Sequence, residues 1–483
     1  MHKKPNVIFI YADDLGYGDL SCYGAEDLKT PNIDSLLDHG IKFTNGYSTS
    51  AVCTPARYSV ITGEYPFRNW EQTRILKGDA KLIIDTQKNT LPKIFKKAGY
   101  TTGIVGKWHL GLGDGTIDWN SKIKNTPNDV GFDYSFIFPG TADRVPCVYV
   151  KNRTVCNLDK NDPINVCYSK ENPFDNIETY ENSPEKILCK SSHGHMDSLI
   201  HGIGRMGFMQ GGKSALWKDE ELAEGFLDEA KQFVEKNVET PFFLLYTVHQ
   251  PHVPRIPNKK FLGKSKLGAR GDVILELDYC VGELVNHLKK LNMLEDTMII
   301  LSSDNGPVLD DGYMDEAVEK NGFHKPSGPL RGGKYTKFEG GARVPFIVSW
   351  KDNLTKKVSD EIICQVDLAA SFANMLNVNL NEKDCVDSVN LIDLMLGKNE
   401  VGRKEVLFEN NLKTMTLRQG KWSYLTPSDH AVFSPEKKLE MGISLDEQLY
   451  NLNYDIGQQI NVAKEYPEIV KNMKDRINEI VNR

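Results

Sequence analysis

The sequence of 483 residues lacks both a long hydrophobic run and an excess of positive charge. No segment approaches the roughly 18 consecutive apolar residues that a membrane-spanning helix requires, so we expect no transmembrane segment. Lysine and arginine number 59 against 66 aspartates and glutamates, which gives a formal net charge of -7. Because nucleic-acid binding requires a basic surface, this balance argues against a nucleic-acid partner. A small anionic substrate remains compatible with the charge, since a few local cations suffice to bind it.

Cysteines are few. Their number, nine, is odd, so at least one of them is unpaired if the others are bridged. Four cysteines fall in one irregular region, at positions 147, 156, 167 and 189, and their spacings match no zinc pattern. A disulfide among these four is one alternative. Free or buried thiols are the expectation, because an unpaired cysteine packs as a small hydrophobic residue.

Apolar runs alternate with amphipathic segments through most of the chain. The runs NVIFIYA, FFLLYTV and TMIILSS have the composition of buried strands, and DEELAEGFLDEAKQFVEKN has the period of an amphipathic helix. This alternation predicts an α/β fold, with a large, mostly parallel mixed sheet flanked by helices. We expect this domain to cover residues 1–380. The segment 140–215 is weakly periodic and is predicted to be irregular.

The pattern changes near residue 380. The segments EVLFENN, TMTLRQG and KWSYLTP resemble short antiparallel strands, and YPEIVKNMKDRINEIV resembles a closing helix. We therefore expect a smaller C-terminal α+β subdomain over residues 381–483.

Acidic and amide side chains directly follow two of the predicted strands. Asp13 and Asp14 follow the first strand, and Asp304 and Asn305 follow TMIILSS. Each pair alone is also typical of an ordinary turn. Open α/β sheets bind small molecules and ions at the carboxyl ends of their strands. Side-chain oxygens that meet there would coordinate calcium or magnesium in preference to zinc.

Basic side chains also follow predicted strands. GKWHLG contains Lys107 and His109, HQPHVP contains His249 and His252, and a glycine-flanked loop contains Lys334. A solvated side chain is the default for any one of these residues. Together, beside a cation, they indicate an anionic substrate with tetrahedral oxygens.

A thiol stands before a predicted helix in CTPARYSVITG. Cys53 near a metal could act as a thiolate nucleophile or as a soft ligand, and a soft ligand suits hard oxygen ligands poorly. Cys53, Pro55 and Arg57, followed by Thr62 and Gly63, resemble the signature of the sulfatase family. Further sulfatase-like segments occur in the family order: ADDLGYGDLSCYG, TPNIDSLLDHGIKFTNGYS, GKWHLG, HQPHVP, SSDNG, RGGKYTKFEGGARVP and LYNLNYDIGQQINVA.

The resemblance implies an alkaline phosphatase-like fold, a calcium ion and a modified cysteine. In the family, a maturase oxidises the signature cysteine to formylglycine, whose hydrate is the nucleophile; here this implies Cys53. The implied calcium ligands are residue 53, Asp13, Asp14, Asp304 and Asn305.

The resemblance also implies a role for each basic motif residue. Arg57 would steady the nucleophile, and Lys107 and Lys334 would bind sulfate oxygens. His109 would lie beside the formylglycine hydroxyl, and His252 would protonate the leaving oxygen. His249 matches no such role and is expected to be structural.

The resemblance to bacterial carbohydrate sulfatases implies a sulfated glycan, with galactose or N-acetylgalactosamine as the sugar. Asp143, Arg144 and His195 in the irregular region are candidate sugar-binding residues, with plain surface polarity as the alternative. Rival functions are a phosphodiesterase or phosphonate monoester hydrolase of the same superfamily, and a non-catalytic glycan-binding protein. The chain shows no signal peptide. We expect a periplasmic or secreted protein whose leader is absent from this sequence, with a cytoplasmic location as the alternative.

Overall fold

The computed structural model describes residues 4–69 and 71–483, which contain twenty β-strands and ten α-helices. The strands are β1 (Asn6–Ala12), β2 (Gly40–Tyr47), β3 (Thr101–Lys107), β4 (Tyr134–Phe138), β5 (Val150–Lys151), β6 (Thr154–Val155), β7 (Asn165–Cys167), β8 (Leu199–Ile200), β9 (Ile203–Gly204), β10 (Phe208–Gln210), β11 (Phe242–Thr247), β12 (Thr297–Ser303), β13 (Phe346–Trp350), β14 (Lys357–Cys364), β15 (Glu405–Glu409), β16 (Met415–Gln419), β17 (Trp422–Leu425), β18 (Phe433–Ser434), β19 (Leu439–Glu440) and β20 (Gln448–Asn451). The helices are α1 (Pro31–Ser35), α2 (Cys53–Thr62), α3 (Leu91–Lys97), α4 (Pro127–Val130), α5 (Leu222–Lys236), α6 (Gly268–Lys290), α7 (Glu339–Ala342), α8 (Leu368–Met375), α9 (Ile392–Met395) and α10 (Pro467–Asn482).

A ten-stranded mixed sheet forms the centre of the protein, in the order β14-β2-β13-β12-β1-β11-β3-β4-β5-β6. The five neighbouring strands from β12 to β4 all run parallel to one another. Only β13 and β5 run antiparallel to both of their neighbours. Every residue of β1 and β12 is buried, which is typical of strands covered on both faces. The predicted α/β class and the mostly parallel sheet are confirmed.

Helices cover both faces of this sheet. Adjacent residues of a strand point to opposite faces of the sheet, so the side chains of Phe242 and Phe243 lie on the two sides of β11. Phe243 stacks on Phe95 of α3, with ring centroids 4.2 Å apart. Phe242 contacts the edge of Phe233 from α5 at 5.7 Å. The Phe233 ring also fills the place of a side chain on Gly103 of β3, where a Cβ would lie 2.5 Å from the ring.

The C-terminal part contains a second, smaller sheet. Strands β15, β16, β17 and β20 are antiparallel neighbours in that order, and α10 closes the chain. Apolar residues of α10, including Met473 and Ile477, pack with Leu417 and Tyr424 of this sheet. The predicted short antiparallel strands and closing helix are confirmed. The division of the chain between residues 380 and 381 stays a prediction.

All nine cysteines are free thiols, so the expectation for the irregular region is confirmed and the disulfide alternative is wrong. Among the described residues, no helix combines the length and apolar composition that crossing a membrane would require.

Candidate active site

The predicted functional side chains converge at the carboxyl ends of adjacent parallel strands. Asp13 and Asp14 directly follow β1, Lys107 ends β3, and Asp304 and Asn305 follow β12. Strands β12, β1, β11 and β3 lie side by side in the sheet, which brings these ends together. Each of these five side chains is at most 1% exposed. The chain therefore buries three carboxylates within one cluster.

Two buried oxygen atoms of this cluster have no hydrogen-bond partner among the described residues, namely Oδ1 of Asp13 and Oδ1 of Asn305. The Asn305 amide nitrogen donates to Asp14 Oδ1 at 2.7 Å, so the amide oxygen is turned away from Asp14. Ligand atoms of Asp13, Asp14 and His252 lie within 4.8 Å of one another. Unpaired buried oxygens are costly, and oxygen donors suit a hard cation. The donor set therefore fits calcium.

Basic side chains surround the carboxylates. Arg57 donates to Asp304 Oδ2 through Nε at 2.9 Å and through an Nη at 2.7 Å. The Lys107 ammonium donates to Asp13 Oδ2 at 2.7 Å. Burial raises the pKa of Asp13 well above its ordinary value, and Lys107 offsets only part of that rise. The cluster thus holds more negative charge than this lysine alone stabilises.

Cys53 is the first residue of α2, and its Sγ lies 3.2 Å from Nδ1 of His109. The other ring nitrogen of His109, Nε2, lies 3.0 Å from the Leu76 carbonyl oxygen. A carbonyl only accepts, so in the neutral ring Nε2 carries the hydrogen and Nδ1 presents its lone pair to residue 53. Burial raises the pKa of the Cys53 thiol, although Lys107 and Lys334 act in the opposite direction. The thiol is therefore held in its protonated form.

His252 faces the carboxylates with Nε2, which lies 3.8 Å from Asp14 Oδ2. Its Nδ1 lies 2.7 Å from the Val253 carbonyl oxygen and therefore donates a hydrogen to it. Burial, followed by the ammoniums of Lys334 and Lys107, holds the pKa of His252 well below its ordinary value. His249 differs, because its ring lies edge-on to Phe138 at 6.2 Å and its Nδ1 has no hydrogen-bond partner within the part of the chain that the structure describes.

The three candidate sugar-binding residues form one contact group. The side chain of Arg144 donates to both carboxylate oxygens of Asp143 at 3.1 Å, and His195 Nε2 lies 2.8 Å from Asp143 Oδ2. Although burial alone would raise the pKa of Asp143, Arg144 and His195 hold it well below its usual range. Arg144 also donates to the Leu76 carbonyl at 2.7 Å, the oxygen that His109 contacts. The group is therefore joined to the site around Cys53.

Two residues of the site escaped the sequence analysis, Asp311 and Lys437. Lys334 donates to Asp14 Oδ2 and to Asp311 Oδ2, both at 2.8 Å, and Lys437 donates to Asp311 Oδ1 at 2.9 Å. The acidic pair in VLDDGY begins four residues after the glycine of DNG and was a signal that could have drawn attention to Asp311. Lys437 has no comparable local signal, because it lies in a lysine pair within the C-terminal part.

Comparisons with known proteins agree with this arrangement. The family model described as Sulfatase matches residues 5–378. The chain is 45% identical to an N-acetylgalactosamine-6-O-sulfatase of Bacteroides thetaiotaomicron, over all of this chain and 94% of that protein. It is 28% identical to human arylsulfatase A, over 98% of this chain and 87% of that protein.

A solved structure, from work on the metabolism of multiple glycosaminoglycans by Bacteroides thetaiotaomicron, superposes with a TM-score of 0.97 at 46% identity. The match covers 99% of this chain and all of that one. The fold is thus the alkaline phosphatase-like fold of the bacterial sulfatases. Because the family model matches most of the chain and the 45% identity to the relative extends over all of this chain, the protein belongs to the sulfatase family of sulfuric ester hydrolases.

Proposed function

We propose that this sulfatase removes the 6-O-sulfate of N-acetylgalactosamine residues in a sulfated glycan. The observation that carries the proposal is the position of Cys53, which begins α2 beside His109 within a buried group of basic side chains. The name of the relative at 45% identity supports the sugar and the sulfate position. A periplasmic or secreted location belongs to the proposal, because sulfated glycans are polymers that do not cross membranes freely.

The proposal includes a calcium ion and a modified residue 53, both typical of the family. Calcium would be held by residue 53 and by the oxygen donors Asp13, Asp14, Asp304 and Asn305. A maturase would convert Cys53 to formylglycine, whose hydrate supplies a hydroxyl nucleophile. When bound, calcium lowers the pKa of that hydroxyl and neutralises charge on the sulfate oxygens.

The chain's own side chains then bind the ester and move the protons. Lys107 and Lys334 bind sulfate oxygens, and Arg57 holds the residue-53 side chain in place. The lone pair on Nδ1 of His109 accepts a proton from the hydroxyl at residue 53, which the tautomer inferred from the Leu76 contact allows. His252 donates a proton from Nε2 to the departing sugar oxygen. The anionic ester favours the protonated imidazole there, because it adds negative charge beside His252.

The sugar itself would be bound by Asp143, Arg144 and His195. Within this group the Asp143 carboxylate accepts from Thr141, Arg144 and His195 and so fixes their positions. The remaining guanidinium hydrogens of Arg144 suit the hydroxyls of a hexose. The contact of both Arg144 and His109 with the Leu76 carbonyl supports a sugar subsite next to the residues that would cleave the ester. A site built on hydrogen bonds to sugar hydroxyls discriminates strongly, because a wrong epimer leaves buried polar groups unpaired.

Calcium is expected to stabilise the metal-free protein more than zinc does, because the ligands are hard oxygens. At a free concentration of about 100 times Kd, binding should add about 2.7 kcal/mol to the free energy of unfolding. Denaturant unfolding with each ion measures this effect without reference to activity. Asn305→Ala should weaken the response to calcium, whereas Asp310→Asn, which changes a carboxylate outside the cluster, should retain it. Equal stabilisation by zinc would contradict the oxygen-ligand assignment.

Release of inorganic sulfate from a panel of sugars tests the proposed substrate. N-acetylgalactosamine 6-sulfate is expected to be cleaved faster than the 4-sulfate or the N-acetylglucosamine epimer, by about two orders of magnitude. Nitrophenyl sulfate and nitrophenyl phosphate measured side by side separate sulfatase from phosphoesterase activity. Preference for the phosphate would favour the rival phosphodiesterase function. Glycan affinity without turnover in fully converted protein would favour a binding protein.

A further inference from the structure

Asp311 carries two ammonium groups on one buried carboxylate. It is 6% exposed and lies on the loop that follows β12. Lys334 contacts one oxygen and Lys437 the other, and the Tyr335 hydroxyl donates to Asp311 Oδ1 at 2.9 Å. Burial alone would raise the pKa of Asp311, but Lys334 and Lys437 hold it well below its usual range. The carboxylate is therefore a fixed negative charge beside the site.

The negative charge of Asp311 would repel an anionic substrate unless a nearby cation neutralised it. Lys334 contacts both Asp14 and Asp311, so one ammonium lies between two carboxylates. If Lys334 had to balance both, little of its charge would remain for a sulfate oxygen. Lys437 gives Asp311 a counter-ion of its own. Asp13 and Asp304 likewise have cations of their own in Lys107 and Arg57. Lys334 is then shared only with Asp14, a carboxylate that the proposed function assigns to calcium.

Lys437 reaches this place from the C-terminal part of the chain, 126 positions beyond Asp311. It lies on the turn between β18 and β19, a two-stranded hairpin. Its ammonium lies 4.5 Å from the centre of the Tyr335 ring and 3.4 Å from Nε2 of His193. The side chain is 19% exposed, so it keeps partial access to solvent while it contacts Asp311.

The conformation of Tyr335 indicates that the contact between Lys437 and Asp311 is fixed by its surroundings. Its backbone has a φ of 74°, a conformation that bulky residues rarely adopt. The ring is buried, the hydroxyl bonds to Asp311, and Lys437 covers the ring face. Such conformations persist where surrounding contacts over-determine them, and they cluster at functional sites. The backbone next to Lys334 is therefore fixed by the same group of residues that includes Lys437.

We infer that Lys437, supplied by the C-terminal hairpin, is a positioning residue that neutralises Asp311 and so leaves the charge of Lys334 free for the sulfate ester. The inference rests on the proposed function, in which Lys334 binds sulfate. Lys437 acts through Asp311 and does not touch the reacting atoms. The C-terminal part of the chain thus sets the affinity of the site for anions.

The test measures competitive inhibition by inorganic sulfate, with aryl sulfate as the substrate of the converted, calcium-loaded enzyme. Lys437→Met keeps the length of the side chain and its contact with Tyr335 but removes the charge. We expect its inhibition constant for sulfate to rise about tenfold, with KM rising similarly and kcat changing less. Lys437→Arg should restore the wild-type constant. Lys438→Met is the matched control, because Lys438 is 59% exposed and lies 3.5 Å from Asp310 instead.

A double-mutant cycle separates a charge effect from a structural one. Asp311→Asn combined with Lys437→Met removes both charges, and we expect sulfate inhibition to return to within about threefold of wild type. The single Asp311→Asn variant should bind sulfate no more weakly than wild type. Three results would each overturn the inference. They are an unchanged inhibition constant in Lys437→Met, a double variant that binds sulfate as weakly as Lys437→Met alone, and a tenfold weakening of sulfate binding by Asp311→Asn.

Two further variants keep the outcome interpretable. Lys437→Gln, measured beside the methionine variant, keeps a hydrogen-bond donor for Asp311 without the charge and should show the same loss. Lys334→Ala tests the function on which the inference rests. If Lys334→Ala left sulfate inhibition unchanged, the proposed role of Lys334 would be wrong. If Lys334→Ala weakened sulfate inhibition and Lys437→Met did not, only the inference about Lys437 would be overturned.

Discussion

Replacement of Cys53 by alanine is expected to abolish hydrolysis of both a sulfated sugar and an aryl sulfate. The change removes the side chain from which the proposed nucleophile is made, and no other group lies in its place beside His109 Nδ1 among the described contacts. Loss of a nucleophile typically lowers kcat by a factor on the order of 10⁵–10⁶. Rates of sulfate release from both esters, together with mass analysis of the peptide that contains residue 53, measure the effect and the conversion.

Cys280→Ala is the matched control for this loss. Cys280 is another buried thiol, on α6 and 2% exposed, and it contacts none of the site residues described above. Its replacement should cost about 1 kcal/mol of unfolding free energy and leave turnover unchanged. Residual activity of Cys53→Ala close to the wild-type rate would show that another group is the nucleophile.

His252→Ala is expected to slow hydrolysis of a sulfated sugar by about 10²–10⁴-fold, the usual contribution of a general acid. The same variant should slow the hydrolysis of nitrophenyl sulfate much less. A sugar oxygen is a poor leaving group and needs a proton, whereas a nitrophenolate leaves without one. The geometry supports this role because Nδ1 donates to the Val253 carbonyl, so Nε2 is the nitrogen that faces the site.

His249→Ala controls for disturbance of the HQPHVP loop. Its ring packs against Phe138 and does not reach the carboxylates, so its effect should be milder than that of His252→Ala and equal on the two esters. Equal losses of His252→Ala on sugar and aryl esters would contradict proton donation and would indicate that His252 positions the sulfate. His109 would then be the better candidate for the acid.

The sequence predicted the sheet, and the acids and bases that follow its strands, for a local reason. Runs such as NVIFIYA and TMIILSS have several consecutive apolar residues without alternation, a composition typical of a strand covered on both faces. Once the fold is a parallel sheet, the residues after each run must meet at one edge. Asp13 and Asp304 could therefore be placed together without coordinates, and the resemblance of the motifs to sulfatases led to the same residues.

Other features depend on contacts between distant parts of the chain. The tautomer of His109 follows from the Leu76 carbonyl, and the grouping of Asp143 with His195 follows from the packing of an irregular segment with weak periodicity. A pattern of hydrophobic residues carries no information about which carbonyl or carboxylate a ring nitrogen will meet.

The sequence by itself thus determined the α/β class, the parallel strands, the family, and the buried acids and bases at the strand ends. The tertiary structure alone decided how those charges are paired. Asp311 and Lys437 are far apart in the chain, and nothing near either residue predicts the other. Their contact exists because the β18–β19 hairpin packs against the loop after β12. Charge balance in a buried site is a property of the whole fold, because every ion within a few ångströms contributes to it, whichever part of the chain supplies it.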